Sequence, residues 1–211
     1  MIKKKIHVLR KLLNEYNLDG YIVPKNDAYF SEFSSPDRLK IISNFTGSAG
    51  YALIFKKKNF LFVDGRYSLQ AKIEAGKNFY IKEIPKFNPK DIVSKQKKMT
   101  LGYDPNLFTN FFINKVFQKY FKLIAIKRNL IDDVFQSQVK RLVTPFYKLK
   151  DEIAGESVDS KINRLRKILK SKKVDNIFIS APENVAWLLN IRGKDNPNSP
   201  IPNCKLIITK N

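Results

Sequence analysis

An α/β fold with a mixed β-sheet flanked by helices is what the sequence predicts, and three observations predict it. Apolar residues near the start recur at helical spacing. Short apolar runs bounded by turn residues recur further on. The two patterns alternate along most of the chain. Ile2, Ile6, Leu9, Leu13 and Tyr16 lie 4, 3, 4 and 3 residues apart and form one face of a helix. Asn17 suits a left-handed stop to that helix. Leu18 to Pro24 reads as a strand centred on Tyr21-Ile22-Val23. Ser35-Pro36-Asp37 reads as a helix start, with Ser35 as N-cap and Pro36 at the first helical position.

Thr46 to Gly50 is a turn. Tyr51–Phe55 and Phe60–Val63 are two strands joined around Lys56–Asn59. Tyr67 to Ala75 is helical and Gly76 caps it. Tyr80–Ile84 is a strand, Leu101–Tyr103 a short one, Phe111–Tyr120 a helix and Leu123–Ile126 a further strand. Residues 136–156 break the pattern: they are polar, contain Pro145 and read as a linker with a short helix. A second unit is expected from about Ser157.

That second unit repeats the first. Leu9-Arg10-Lys11-Leu12-Leu13 matches Leu165-Arg166-Lys167-Ile168-Leu169, and Leu18 to Val23 matches Val174 to Ile179 at the same offset. Gly20 and Asn176, at equivalent positions, both tolerate positive φ. Ile42 to Gly47 resembles Leu188 to Gly193. Lys205–Thr209 corresponds to Tyr51–Phe55, and the copy is then incomplete. The expected organisation is a domain over 1–135, a linker over 136–156 and a truncated second copy over 157–211.

Composition narrows the function. The chain has 211 residues and a formal charge of +21, yet only eight of its 40 basic residues are arginine. Lysine-rich runs such as Lys3–Lys5, Lys56–Lys58 and Lys172–Lys173 are short and scattered, which reads as a solvated surface. Specific nucleic-acid recognition is not expected, because readers of base edges favour the arginine fork; salt-sensitive adhesion is. No apolar run approaches the roughly 20 residues of a membrane span. Arg10 and Lys11 fall where a signal peptide needs an unbroken apolar stretch, so a cytoplasmic protein is expected. Cys204 is the single cysteine and His7 the single histidine. His7 reads as a helix-surface residue, so histidine ligation of a metal is not expected.

Gly47-Ser48-Ala49-Gly50 lacks the lysine and Ser/Thr of a phosphate loop and leads into a strand, so it reads as a turn. Two carboxylate sites remain. Asp27 and Glu32 flank an irregular stretch after the first strand. Asp64-Gly65-Arg66-Tyr67 sits where a strand passes into a helix, and Asp64 can cap that helix. Arg66 then lies in the first helical turn, against the dipole, and needs a partner, either a nearby carboxylate or a substrate. The residues alone leave both readings open.

At these same residues the sequence resembles a known family. Asp27-Ala28-Tyr29-Phe30-Ser31-Glu32-Phe33, Ser43 to Gly50, and Val63-Asp64-Gly65-Arg66-Tyr67-Ser68-Leu69-Gln70-Ala71 resemble three signature blocks of the N-terminal domain of X-prolyl aminopeptidases. Gly102 to Pro105, Asn129 to Asp132 and Glu183 to Asp195 are similar to later blocks. The family often has histidine where this chain has Tyr29. The resemblance implies a three-domain enzyme, in which two related N-terminal domains precede a pita-bread catalytic domain holding two metal ions, usually manganese, on Asp, Asp, His, Glu and Glu. This chain stops before that domain, so no metal ligand and no catalytic residue is assigned in it, and it should be inactive alone. The resemblance makes Arg66 a substrate-binding residue, and Asp27, Tyr29, Asp64 and Tyr67 shape the site. It implies a homodimer or association with a catalytic domain, and short X-Pro peptides as substrates of the full enzyme. Two other readings stand beside this one: a free-standing assembly module for a separate catalytic chain, and a basic nucleic-acid-binding protein.

Overall fold

A computed structural model describes residues 2–30, 36–92, 98–135, 144–196 and 198–211. Glu32, Ser35 and residues 136–143 of the expected linker lie outside the described residues. The chain forms two compact units. One takes the described residues up to Ala28 and those from Pro36 to Phe135; the other takes Tyr29, Phe30 and the described residues from Thr144 onward.

In the first unit the N-terminal periodicity becomes helix α1 (Ile2–Glu15), whose buried residues are Ile2, Ile6, Leu9 and Leu13. Tyr16 falls beyond the last turn and is exposed. Asn17 adopts φ 52°, and the Leu18 amide donates to the Leu13 carbonyl at 2.8 Å, which closes the helix with a left-handed cap. Strand β1 (Gly20–Pro24) follows, buried at every position. Gly20 does not take the positive φ that it would tolerate. A Cβ there would meet Phe55 Cδ1 at 2.8 Å and Leu101 Cδ2 at 2.9 Å, so its glycine serves close packing between strands. Helix α2 spans Arg38–Ser43 and its N-cap is Asp37, whose carboxylate accepts from the Lys40 amide. The helix therefore starts after Pro36-Asp37, a few residues later than the expected cap at Ser35.

Strands β2 (Tyr51–Phe55) and β3 (Asn59–Asp64) form the expected hairpin. Helix α3 (Ser68–Ala75) ends at Gly76, which has φ 57°. Strands β4 (Tyr80–Ile84), β5 (Thr100–Tyr103) and β6 (Lys122–Ala125) complete a six-stranded sheet in the order β4-β3-β2-β1-β5-β6. Only β2 runs against the others. Side chains alternate between two cores. Tyr21, Val23, Ala52, Ile54, Leu61 and Val63 face the aliphatic core beneath α1, α2 and α5 (Leu130–Val134); Ile22, Leu53, Phe55 and Phe62 face the other, which Phe108, Phe117 and Phe121 fill.

The expected helix over Phe111–Tyr120 is instead helix α4 (Asn110–Ile113) running into a π-helical turn over Asn114–Gln118. Phe112 and Phe117 stand five residues apart, the spacing of a π turn. Their ring centroids lie 6.2 Å apart, and Tyr51 contacts both. The aromatic packing of the second core selects the wider turn.

The second unit begins inside the segment read as linker. Strand β7 (Tyr147–Lys148) and helix α6 (Asp151–Ala154) are formed there, before helix α7 (Val158–Ser171), which Ser157 caps. Strand β8 (Asn176–Ile179), helix α8 (Pro182–Leu188), strand β9 (Ile191–Arg192) and strand β10 (Leu206–Thr209) follow. β7 pairs with β9 and β8 with β10, both antiparallel. The core is small: Leu169, Leu188 and Ile208 are buried, with Ile162, Leu165, Ile177, Ile179 and Leu206 against them.

The repeat extends to atomic detail. Lys173 takes φ 55° where Asn17 takes 52°, and the Val174 amide donates to the Leu169 carbonyl as Leu18 does to Leu13. Asn176 pairs with Thr209 as Gly20 pairs with Phe55. Arg10 Nε donates to the Phe55 carbonyl at 3.0 Å, and Arg166 Nε to the Thr209 carbonyl at 3.3 Å. Lys5 Nζ donates to the Ile41 carbonyl of α2, and Lys161 Nζ to the Trp187 carbonyl of α8. The left-handed residues shared by the copies are thus Asn17/Lys173 and Asn44/Asn190, not Gly20/Asn176.

Candidate functional site: a carboxylate–arginine–tyrosine corner

The corner forms where β3 meets α3 in the first unit. Gly65–Tyr67 makes a single 3₁₀ turn, and Asp64 caps it by accepting from the Arg66 amide at 2.9 Å. The same carboxylate takes the Arg66 guanidinium in a fork, with Nε 3.2 Å from Oδ1 and Nη2 2.8 Å from Oδ2. Hydrogen bonds from Arg66 are the main reason the Asp64 carboxyl is held below its ordinary range; burial opposes them. The carboxylate partner that Arg66 needs is therefore its neighbour two residues back. The pair still faces solvent, since 74% of the Arg66 side chain is exposed. A guanidinium so placed is ionised, oriented and reachable by a carboxylate or carbonyl ligand.

Tyr67 is held more firmly. Its hydroxyl hydrogen-bonds Ser48 Oγ at 2.8 Å, its ring meets Phe45 edge-on at 5.8 Å, and the Arg66 guanidinium carbon lies 5.3 Å from its ring centre. The Gly47–Gly50 turn is shaped to this ring. A Cβ on Gly47 would stand 2.3 Å from Phe45 Cζ and 2.8 Å from Tyr67 Cδ1. Beside it, Glu74 accepts from the Thr46 amide at 2.7 Å and the Thr46 hydroxyl at 2.6 Å. Burial pushes the Glu74 carboxyl up, but the Thr46 and Gln70 hydrogen bonds and the charge of Lys25 outweigh it and bring it down. Glu83 takes the Ser68 hydroxyl at 2.8 Å and pairs with Lys86.

Two further sequence candidates are Asp27 and Tyr29. Asp27 follows β1 and is buried, close in sequence to the Lys25–Asp37 ion pair. Tyr29 groups with the second unit, where the Lys205 ammonium lies 5.4 Å from its ring centre. Asp64, Arg66 and Tyr67 are thus brought together with a partner the sequence reading left out, Ser48. The signal for Ser48 is its place in the Gly47–Gly50 segment, which the sequence reads as a turn and as part of a signature block. A second omission is Asp104, which caps the turn after β5 and accepts from Asn129 Nδ2 at 2.8 Å.

Among the described residues, no group of three or more His, Cys, Asp and Glu could hold a metal ion. The single histidine, His7, is exposed on α1. The donors among the described residues do not fit a two-metal centre. No helix among the described residues is long and apolar enough to cross a membrane.

Comparison with known proteins agrees with this picture. Residues 5–132 and, separately, residues 137–211 match models of the creatinase/prolidase N-terminal domain. A probable Xaa-Pro aminopeptidase P of Aspergillus clavatus is 34% identical over 95% of this chain, and one of Pyrenophora teres 36% identical over 92%. The chain spans about a third of the length of these relatives, 32% and 31%. The crystal structure of an X-prolyl aminopeptidase from Caenorhabditis elegans, described as a cytosolic enzyme with a di-nuclear active site, superposes with a TM-score of 0.85 at 28% identity. The match covers all of this chain and 38% of that one. The chain belongs to the creatinase/prolidase N-terminal domain family, as the N-terminal portion of an aminopeptidase P-like protein.

Proposed function

We propose that this chain is the non-catalytic N-terminal region of an Xaa-Pro aminopeptidase, restricting access to short peptides and presenting Arg66 to the substrate. The observation that carries the reading is the Asp64–Arg66–Tyr67 corner. Its guanidinium is ionised, oriented by a fork with Asp64 and exposed, and its tyrosine is fixed by Ser48 and Phe45. A salt bridge this exposed contributes little to folding, so stability gives the sequence little reason to keep it. A peptide carbonyl or carboxylate is the ligand such a guanidinium suits. The hydrolytic step needs an activated water, and the described residues hold no cluster of metal ligands to activate one. On this reading a metal pair, manganese by resemblance, belongs to a catalytic domain outside these residues. The chain works in the cytoplasm against that domain, in a homodimer.

The test uses an aminopeptidase P-like protein that contains this chain. Arg66→Ala should lower kcat/KM for an Arg-Pro-headed peptide about tenfold, the effect of losing one charged contact. Arg66→Lys should recover part of it. Unchanged kinetics in both variants would remove Arg66 from substrate binding.

A further inference from the structure

Charge in the first unit is sorted between the two ends of its sheet. The strand register defines one end as a row: Phe55, Gly20, Leu101 and Leu123 stand side by side across β2, β1, β5 and β6, and Phe60 and Tyr80 extend it across β3 and β4 two residues further in, level with Leu53. At a strand spacing of about 4.8 Å this row is about 24 Å wide. Exposed lysines stand just beyond it along nearly its whole width: Lys77 before β4, Lys56, Lys57 and Lys58 between β2 and β3, Lys98 before β5, and Lys122 opening β6. Lys11 on the last turns of α1 adds to them.

Two carboxylates stand nearby. Asp19 is occupied, accepting from the Thr100 amide at 2.8 Å, and the other is Glu15. Among the described residues none of these lysines has an ion-pair partner. Among the described residues, the five ion pairs of this unit, with the carboxylates that make them, lie toward the opposite end. A uniformly lysine-rich surface does not account for this. The acidic residues that neutralise one end are withheld from the other.

We propose that this lysine-lined end is a docking surface for a single-stranded nucleic acid, held through its phosphate backbone without regard to sequence. A row of unpaired ammonium groups over about 24 Å fits a chain of evenly spaced phosphates, and lysine meets phosphate as a point charge. The exposed large apolar side chains at this end include two tyrosines, Tyr16 and Tyr80, beside Ile73 in the last turn of α3, and Tyr80 lies beside Phe60 with ring centres 5.5 Å apart. Aromatic faces among lysines are the stacking platform of single-strand binders. A membrane surface is less well matched, because the apolar face of α1, the amphipathic helix that ends here, is buried in the core. The surface is independent of the Arg66 corner and of any peptidase role.

The test measures binding of a fluorescein-labelled 12-nucleotide oligo-dT by polarisation, across a salt series, with the full chain. Lys57→Ala/Lys58→Ala/Lys122→Ala should weaken binding at least tenfold at low salt. It should also make the log–log salt slope about 2 shallower, as loss of three single-strand phosphate contacts requires. Lys3→Ala/Lys4→Ala/Lys127→Ala removes the same charge at the opposite end and should change affinity less than twofold. Thermal melts confirm that both variants fold. Equal weakening by the two triple variants would reduce the effect to net charge and overturn the proposal. So would no binding by the parent chain at low salt, or lysine-dependent binding to phosphatidylserine vesicles without binding to oligo-dT.

Discussion

Arg66 carries the tension between structure and function in this chain. Its ion pair with Asp64 is bidentate, but an exposed pair contributes at most about 1 kcal/mol. Arg66→Ala should therefore leave the melting temperature of the chain nearly unchanged, and a large drop would make Arg66 a structural residue. The pair has its own titration signature. The Asp64 carboxyl is depressed by Arg66, so its contribution to stability is present above the unfolded-state pKa and is lost as pH falls through the lower folded-state value. A carboxyl-detected NMR titration should place Asp64 below the ordinary aspartate range, and Arg66→Ala should move it back up. Gly47 is the opposite kind of residue. A methyl there would enter the space of the Phe45 and Tyr67 rings, so Gly47→Ala should cost about 1–3 kcal/mol and loosen the Tyr67–Ser48 bond. The Asp64–Arg66 pair was legible in sequence because its partners are two residues apart. The demands on Gly47 and Ser48 were not, because they come from rings on β3's far side of the turn and from α2's C-terminal flank.

Elements were legible wherever one periodicity held over enough residues. The 4-3-4 spacing of α1 and the apolar runs of β1, β2 and β3 meant the same thing locally and globally. The π turn after α4 was hidden, because a helical sequence does not reveal which ring across the sheet will claim Phe117. The duplication was visible in apolar residues, but its polar half was not. Lys5 and Lys161 look like surface lysines, yet each reaches across to the end of the next helix of its unit and donates to a backbone carbonyl. Lys161 is the stronger case: it is 2% exposed, and its Nζ also meets Asn190 Oδ1 and lies over the Trp187 ring. Lys161→Met keeps the stem and leaves two acceptors short of a donor. It should destabilise the second unit by about 1–3 kcal/mol in denaturant titrations followed by Trp187 fluorescence. A change below about 0.5 kcal/mol would mean that water replaces the ammonium at no cost.

At the scale of the whole molecule, the two copies share a plan but not a core. The first unit sandwiches a six-stranded sheet between two buried clusters. The second sets two-stranded sheets against a small cluster centred on Leu169, Leu188 and Ile208 and leaves Phe178, Trp187 and Ile207 more than half exposed. Two-stranded units are marginal in water, and local opening follows the depth of apolar burial. Matched hydrogen bonds in the two copies make the difference measurable. The Val174 amide closes α7 as the Leu18 amide closes α1, and Lys210 reaches the Asp175 carbonyl as Lys56 reaches that of Asp19. Local geometry is the same in each pair, so any difference in protection reports the surrounding core. Native-state hydrogen exchange on the chain should show the amides of β8 and β10 exchanging at least a hundredfold faster than those of β1 and β2, a gap of about 3 kcal/mol in opening free energy. Equal protection in a verified monomer would mean that the second copy reaches full stability with two-stranded sheets, and that the burial contrast does not govern opening in this chain.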